Sequence, residues 1–404
     1  MIYVREIVVV GASLAGVRAC QNLRREGFEG ALTLVGEEKR LPYDRPPLSK
    51  TMLTSDQDPD DLTLLSSSDL SDLDLNLILG EQAAGLDTDR KEVTVGGDAI
   101  RYDGLIIATG ARARKLSKSG DIDGIHVLRT VDDALAIRSG LKSNSAVVIV
   151  GAGFIGAEVA AAARQHDCQV TIVEASEAPL VRGLGHQVGS ACGELHRYYG
   201  VDLRLGIGVA DVHGRNGLEE VELTDGTYIE TEFLVVGIGS IPNTEWLVDS
   251  GLSLDDGVVC NENLNAGIPG IYAAGDVAKV PNRWLGGRAR RPEHWTSATE
   301  HAALAARNIL FPDNNHPYDS VPFVWSDQYE DRIQVAGDTI DFDEVVILTG
   351  SVEERAFIAG YRHGTELAGV MALNNMRAFV QYRRLLMTHG TWVDAIAISD
   401  KSGK

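Results

Sequence analysis

The chain lays down one structural plan twice. Residues 6–37 read as an apolar strand at 7–10, a glycine turn, a helix over about 15–26, a second apolar strand at 31–35 and then an acid, Glu37. Residues 146–174 repeat it: a strand at 146–150, a glycine turn, a helix over about 155–166, a strand at 169–173 and Glu174. Strands that are apolar along their whole length, without alternation, are buried on both faces, as in a parallel sheet covered by helices. The turns begin at Gly11 and Gly151, 151 − 11 = 140 residues apart, so each unit can nucleate a domain of its own. At roughly 100–200 residues per domain, 404 residues allow about two to four domains.

The turns carry chemistry as well as topology. Gly11-Ala12-Ser13-Leu14-Ala15-Gly16 departs from GxGxxG at Ser13. The middle glycine lets the backbone approach a pyrophosphate, so a small side chain is the least disruptive replacement. The helix that follows offers its first N–H groups and its positive dipole end to phosphates. Glu37 lies 37 − 16 = 21 residues past the last glycine, where a carboxylate can accept from both hydroxyls of an adenosine ribose. The second turn, Gly151-Ala152-Gly153-Phe154-Ile155-Gly156, fits the full pattern, and Glu174 follows at 174 − 156 = 18. An acid there favours a free 2′-hydroxyl and repels a 2′-phosphate, so NAD is preferred to NADP. Arg182, eight residues on, would weaken that preference if it turned toward the ribose. A lone glycine pattern is weak, because a tight turn can serve packing alone; here strand, helix and acid accompany it twice. Two such pockets imply two dinucleotides, one resident and one visiting. A resident FAD with a visiting NAD(P)H would couple a hydride donor to a carrier able to pass single electrons.

Charge and cysteine content narrow the partners. Lys plus Arg is 37 against 58 Asp plus Glu, a net charge of −21, which argues against a general nucleic-acid binder. No apolar run approaches the roughly 18 residues that span a bilayer. Residues 1–5 run straight into the first strand, which is too short for a signal-peptide core, and the chain reads as cytoplasmic. The closest pair among Cys20, Cys168, Cys192 and Cys260 is 192 − 168 = 24 residues apart, and there is no CxxC. A zinc ribbon or local redox disulfide is therefore unsupported, no metal is expected, and the thiols read as reduced and mostly buried. Residues 51–75, rich in Asp, Ser and Leu, read as an acidic surface segment or a short helical excursion over a site. From about 319 the runs at 332–336, 344–349 and 356–361 suggest an antiparallel sheet, followed by a helix over about 375–388.

Several blocks are more specific. Leu41-Pro42-Tyr43-Asp44-Arg45-Pro46-Pro47-Leu48-Ser49-Lys50 is a loop stiffened by three prolines. Others are Ala108-Thr109-Gly110, Leu128-Arg129-Thr130, Val236-Gly237-Ile238-Gly239-Ser240-Ile241-Pro242-Asn243, Gly270-Ile271-Tyr272-Ala273-Ala274-Gly275-Asp276-Val277-Ala278, Glu293-His294-Trp295 and Trp325-Ser326-Asp327-Gln328. Through them essentially the whole chain resembles the FAD-dependent NAD(P)H reductases with two dinucleotide domains. The likeness is to the ferredoxin reductases of the putidaredoxin reductase type, which serve Rieske-type oxygenases and haem monooxygenases.

That resemblance implies an α/β fold of two Rossmann-like, glutathione reductase-like domains with a C-terminal α+β domain. The FAD domain would be 1–112 with 241–318, the NAD domain 113–240 and the C-terminal domain 319–404. It implies that Arg45 reaches the phosphate or adenosine region of FAD, that Arg129 also serves FAD, and that Lys50 lies near the isoalloxazine, where a cation stabilises reduced flavin. Thr109 and Gly110 belong to the first flavin half, and Gly275 and Asp276 to the second flavin motif, whose aspartate holds the ribityl chain. Glu158, two residues past Gly156, would sit at the nicotinamide and face Lys50; these two are the pair expected to act in catalysis. Gly239 reads as contact and hinge, Glu293 and Trp295 as residues flanking the flavin, Trp325 as a flavin wall, and His294 as structural beside them.

The mechanism implied is hydride transfer from NADH to FAD, with proximity supplying most of the acceleration, then single electrons to an iron–sulfur ferredoxin. Related disulfide reductases carry a cysteine pair beside the flavin; the position by Ser49-Lys50 holds none, so electrons should leave to an external acceptor. Arg283, Arg288, Arg290 and Arg291 suggest a basic rim for an acidic ferredoxin, with Arg377, Arg383 and Arg384 as weaker candidates. Two readings stand beside this one: a reductase of rubredoxin, a quinone, oxygen or a peroxide on the same scaffold, and an NADH-sensing flavoprotein without a fast acceptor. Monomer and homodimer both remain open.

Overall fold

The structure is a computed structural model that describes residues 4–117 and 122–402; the first three residues of the N-terminal reading lie outside it. The chain divides into two compact units. The first comprises the chain up to Asp44, Pro59–Arg112 and Ile241–Pro322; the second comprises Arg45–Asp58, Ala113–Ser240 and the chain from Phe323 onward.

In the first unit the strand Glu6–Val10 lies at the centre of a parallel five-stranded sheet. Ala31–Gly36 and then Leu75–Leu79 lie on one side, and Gly104–Ile107 and then Ile271–Ala273 on the other. Val9, Leu34 and Ile106 are fully buried, as their unbroken apolar runs require. Helices Leu14–Arg25 and Trp295–Leu310 pack together beside this sheet. An antiparallel meander, Ala83–Asp87, Glu92–Val95 and Asp98–Arg101, leads into Gly104–Ile107.

The second unit repeats the arrangement. Ala146–Val150 is central, with Gln169–Glu174 and Asp202–Leu205 on one side and Leu234–Val236 and Ile125–Val127 on the other, all parallel. It too has a meander, Val209–His213, Glu220–Leu223 and Tyr228–Glu230. The fold expected from the repeated plan is the one observed, and both glycine-turn helices fall within a residue of their expected bounds.

The antiparallel C-terminal sheet has five strands in the order Phe323–Gln328, Asp331–Gly337, Glu366–Leu373, Ala356–His363, Glu344–Ser351. Helix Met376–Met387 follows it, as expected. The sheet grips helix Val181–Tyr198 where that helix breaks. Gly185 takes φ 72°, which leaves nearby carbonyls without their helical donors. Thr339 Oγ1 donates to the Gly183 carbonyl at 2.5 Å and the Tyr361 hydroxyl to the Leu184 carbonyl at 2.8 Å.

Residues 51–75 form ordered short elements: a helical turn Thr51–Thr54, a tight turn Pro59–Leu62 and helix Ser67–Leu73. The last is started by a Ser66/Asp69 capping box, so part of the Ser and Asp content is capping chemistry. Among the described residues no helix is long and apolar enough to cross a membrane.

Candidate functional site

In the first unit three of the sequence blocks meet at the carboxyl ends of the parallel strands, the edge where open α/β sheets bind ligands. Gly11 takes φ 119°, and a Cβ there would lie 2.0 Å from the Ala108 carbonyl oxygen, so the turn rests on Ala108-Thr109-Gly110. A Cβ on Gly275 would lie 2.9 Å from that of Ala15, which brings Gly275 and Asp276 against the same turn. Ser13 caps helix Leu14–Arg25 through its backbone only, with no side-chain bond to the first N–H groups, so these point to the turn. Leu14 and Ala15 are buried beneath it, and Glu37 stands exposed just past the strand end. Thr109 Oγ1 donates to the Asn243 carbonyl at 2.8 Å, and Asn243 Nδ2 returns a bond to the Thr109 carbonyl at 2.9 Å. Trp295 Nε1 donates to Asp44 at 2.8 Å, tying the start of the proline block to helix Trp295–Leu310. Burial pushes the His294 and His301 imidazoles down to about 4 against the pull of Asp276. Both are therefore neutral at pH 7, which suits a structural His294.

In the second unit the glycines of the turn separate by cause. A Cβ on Gly151, at φ 98°, would lie 2.4 Å from the Gly237 carbonyl oxygen, and one on Gly156 would lie 2.1 Å from the Gly151 carbonyl oxygen. The fold itself demands both. A Cβ on Gly153 would meet nothing within 4 Å. Its smallness serves no neighbour in the chain; it leaves open the approach that a pyrophosphate needs. Helix Phe154–Gln165 has no side-chain cap and no acid in its first turn, so its N–H groups and dipole are offered outward. These features fit a dinucleotide. Glu174 accepts from the Ala152 N–H at Oε2 and the Ser176 N–H at Oε1, each at 2.8 Å. It braces the turn and keeps a lone pair on each oxygen. Phe154 is half-buried, Ile155 is exposed, and Arg182 is exposed in the first turn of helix Val181–Tyr198. Gly239, at φ 104°, accepts from the Arg114 N–H at 2.9 Å.

One turn down the same helix lies the polar centre of the second unit. Glu158 is 4% exposed, and its carboxylate is met by three donors from two distant parts of the chain. Lys50 Nζ reaches Oε2 at 2.7 Å, Ser49 Oγ donates to the same oxygen, and Ser326 Oγ donates to Oε1 at 2.6 Å. The proline-stiffened loop delivers Ser49 and Lys50, and it is itself fastened within this unit. Arg45 Nη1 donates to the Arg129 carbonyl at 2.5 Å, His166 Nε2 meets the Leu53 carbonyl at 2.7 Å, and Arg138 reaches the Ser55 carbonyl at 2.9 Å. An ammonium and two hydroxyls thus satisfy both oxygens of this buried carboxylate with donors.

Lys50 and Glu158 therefore come together as expected. Ser326 completes their site, although the sequence reading placed it only in a block flanking the flavin. A signal existed, since Ser326 and Gln328 alternate with Trp325 and Asp327, and small polar residues two apart on a sheet strand share a face. Trp325 lies on the other face, stacked with Phe323 at 5.9 Å between centroids. Of the four arginines expected on a basic rim, Arg291 is turned inward. Its side chain is 6% exposed and paired with Glu293 at 2.7 Å and Asp256 at 3.2 Å. Arg283 is paired at the surface with Glu262 through two bonds, at 2.7 and 3.0 Å. The inward turn of Arg291 is a correction; Arg283 keeps a half-exposed side chain in its surface pair. Glu293, expected at the flavin, is the partner Arg291 takes. All four cysteines are free and buried, and burial pushes the Cys20, Cys192 and Cys260 thiols up to about 12, so these three are inert.

Comparison with known proteins agrees with this geometry. Residues 5–302 match the pyridine nucleotide-disulphide oxidoreductase family and residues 323–404 the reductase C-terminal family. Rhodocoxin reductase of Rhodococcus erythropolis is 39% identical over 385 residues, 95% of this chain and 89% of that protein. Putidaredoxin reductase CamA of Pseudomonas putida is 32% identical, covering 94% of this chain and 91% of its own. The crystal structure of the ferredoxin reductase for the CYP199A2 system from Rhodopseudomonas palustris superposes with a TM-score of 0.92 at 32% identity, over 98% of this chain and 100% of that one. The chain belongs to the pyridine nucleotide-disulphide oxidoreductases, a family of FAD-dependent enzymes that use NAD(H).

Proposed function

We propose that the chain is an NADH-dependent ferredoxin reductase serving an oxygenase, with FAD on the first parallel sheet and NAD on the second. The observation that carries the reading is the second glycine turn: an uncapped helix start beside a glycine that meets nothing, with the caged Glu158 one turn further on. In the first unit the N–H groups after Ser13 take the FAD pyrophosphate, Glu37 the adenosine ribose and Asp276 the ribityl chain. In the second unit the turn from Gly151 to Gly156 takes the NAD pyrophosphate and Glu174 its ribose. Glu158, paired with Lys50, accepts from the nicotinamide carboxamide and fixes the ring. When bound, FAD supplies the two-electron to one-electron conversion; the protein supplies position and charge.

The ferredoxin assignment is supported by the relatives, which are named as reductases of rhodocoxin, of putidaredoxin and of the CYP199A2 ferredoxin system. It is supported also by the four buried thiols, which offer no dithiol relay. The Arg291 side chain is buried, so the residues of that rim we assign to docking are Arg283, Arg288 and Arg290, which lie at or near the surface. Buried free thiols suit a reducing compartment, and we place the reaction in the cytoplasm.

The test is to purify the protein, record its flavin spectrum, and compare NADH with NADPH oxidation across a panel of ferredoxins. NADH should be preferred and at least one acidic ferredoxin should turn over. Absence of bound flavin after reconstitution would refute the whole reading. Turnover of artificial acceptors but of no ferredoxin would refute the partner alone. Glu174→Ala should cost more with NADH than with NADPH; equal losses would remove its ribose role.

A further inference from the structure

We propose that Ser326, oriented by Gln328, is a positioning residue that fixes the plane of the Glu158 carboxylate for the nicotinamide. This rests on the assignment of Glu158 to the nicotinamide end of NAD. The terminal torsion of a glutamate is broad, so a carboxylate held at one oxygen can still turn about it. Lys50 and Ser49 both approach Oε2. Ser326 is the described donor to Oε1, at 2.6 Å. Donors on the two oxygens, brought by a loop and by a sheet strand, leave the group one orientation.

A serine hydroxyl has a single proton and can turn it in several directions. Gln328 removes that freedom. It lies two residues along the same strand, hence on the same face, and its Nε2 donates to Ser326 Oγ at 3.2 Å. With that lone pair filled by a donor, the Ser326 proton is directed to Glu158. The opposite amide orientation would present Gln328 Oε1 to Ser326 and compete for the proton, and a carboxylate is the stronger acceptor. Ser326 and Gln328 are both fully buried, so water does not replace either bond. The strand Phe323–Gln328 thereby gives the C-terminal sheet a part in cofactor geometry in addition to its packing on helix Val181–Tyr198.

The experiment is a double-mutant cycle between Ser326→Ala and Glu158→Gln in the flavin-loaded protein. Two quantities are read: the rate of flavin bleaching at saturating NADH, and the affinity of the oxidised protein for NAD⁺ by calorimetry. Losing one hydrogen bond to a charged group should slow bleaching about tenfold in the native background and weaken NAD⁺ binding by about threefold. In the Glu158→Gln background the same change should cost almost nothing, because contacting groups are coupled. Ser326→Thr, which keeps the hydroxyl, should recover most of the rate. Gln328→Met should give a smaller loss of the same kind, and it carries the cycle if the alanine variant fails to fold. Equal costs in both backgrounds, or a native rate for Ser326→Ala beside a slow Glu158→Gln, would overturn the positioning role and leave Glu158 in place. Native rate and affinity in Glu158→Gln would overturn both.

Discussion

His301 gives the chain a calculable sensitivity to acid. It lies on the buried face of helix Trp295–Leu310, edge-on to the Tyr318 ring at 4.5 Å, and neither ring nitrogen has a hydrogen-bond partner among the described residues. Burial holds its imidazole at about 4, against 6.5 when the chain is unfolded. Below pH 6.5 the unfolded chain binds a proton that the native one refuses, so stability rises with pH through this window. The contribution is intact above 6.5, falls as pH drops and levels off below 4. At about 1.4 kcal/mol per pH unit the gap amounts to about 3 kcal/mol, of which about 2 kcal/mol is lost by pH 5. His301→Leu removes that liability together with two unpaired buried nitrogens. The assay is urea unfolding of flavin-free wild type and variant at pH 7.5, 6.5, 5.5 and 5.0. The variant should be at least as stable at pH 7.5, and its advantage should widen by about 2 kcal/mol at pH 5. Parallel curves would mean an imidazole that titrates alike folded and unfolded, and an advantage that shrinks in acid one that is charged and paired; either would defeat the reasoning.

The glycine turns predict a clean division: Gly153→Ala should lower NAD⁺ affinity about tenfold with an unchanged melting temperature, whereas Gly156→Ala, whose methyl would sit 2.1 Å from a carbonyl oxygen, should destabilise folding by several kcal/mol. Calorimetric binding and thermal melts separate the two. Lys50→Met leaves Glu158 buried with two hydroxyl donors and should cost about 2 kcal/mol in denaturant unfolding; adding Glu158→Gln should recover most of it. Alkylation should modify no more than a trace of Cys20, Cys192 and Cys260 in the native protein and all of them in urea, as measured by mass spectrometry.

Both parallel sheets were legible because their signals are local: an apolar run, a glycine turn and an amphipathic helix are each set by residues close in sequence. The meanders were missed, since Ala83–Asp87 and Tyr228–Glu230 are short and half exposed and carry little periodicity. In the C-terminal sheet Glu366–Leu373 escaped notice because it is buried on nearly every residue and does not alternate. The pairing of Lys50 with Glu158 came from the family likeness, as 108 residues separate them and no local rule joins them. For Ser326, another 168 residues beyond Glu158, the alternation with Trp325 marked a face but not the partner, which only the fold puts at Oε1. Arg291 misled because sequence shows charge and hides burial: Asp256, one of the acids it binds, lies 35 residues away.

The two parallel sheets share the order of four strands, yet the fifth strands, on the same edge, have opposite histories. Ile125–Val127 precedes the rest of its sheet, while Ile271–Ala273 is the last of its own to be made. Its neighbour Gly104–Ile107 leaves the ribosome 271 − 107 = 164 residues earlier. At about 5–20 residues per second that edge stays unzipped for about 8–30 seconds of translation, long enough for the inserted half to finish first. A released chain truncated near residue 250 should therefore resist protease across the inserted sheet while the N-terminal segment is still being cut.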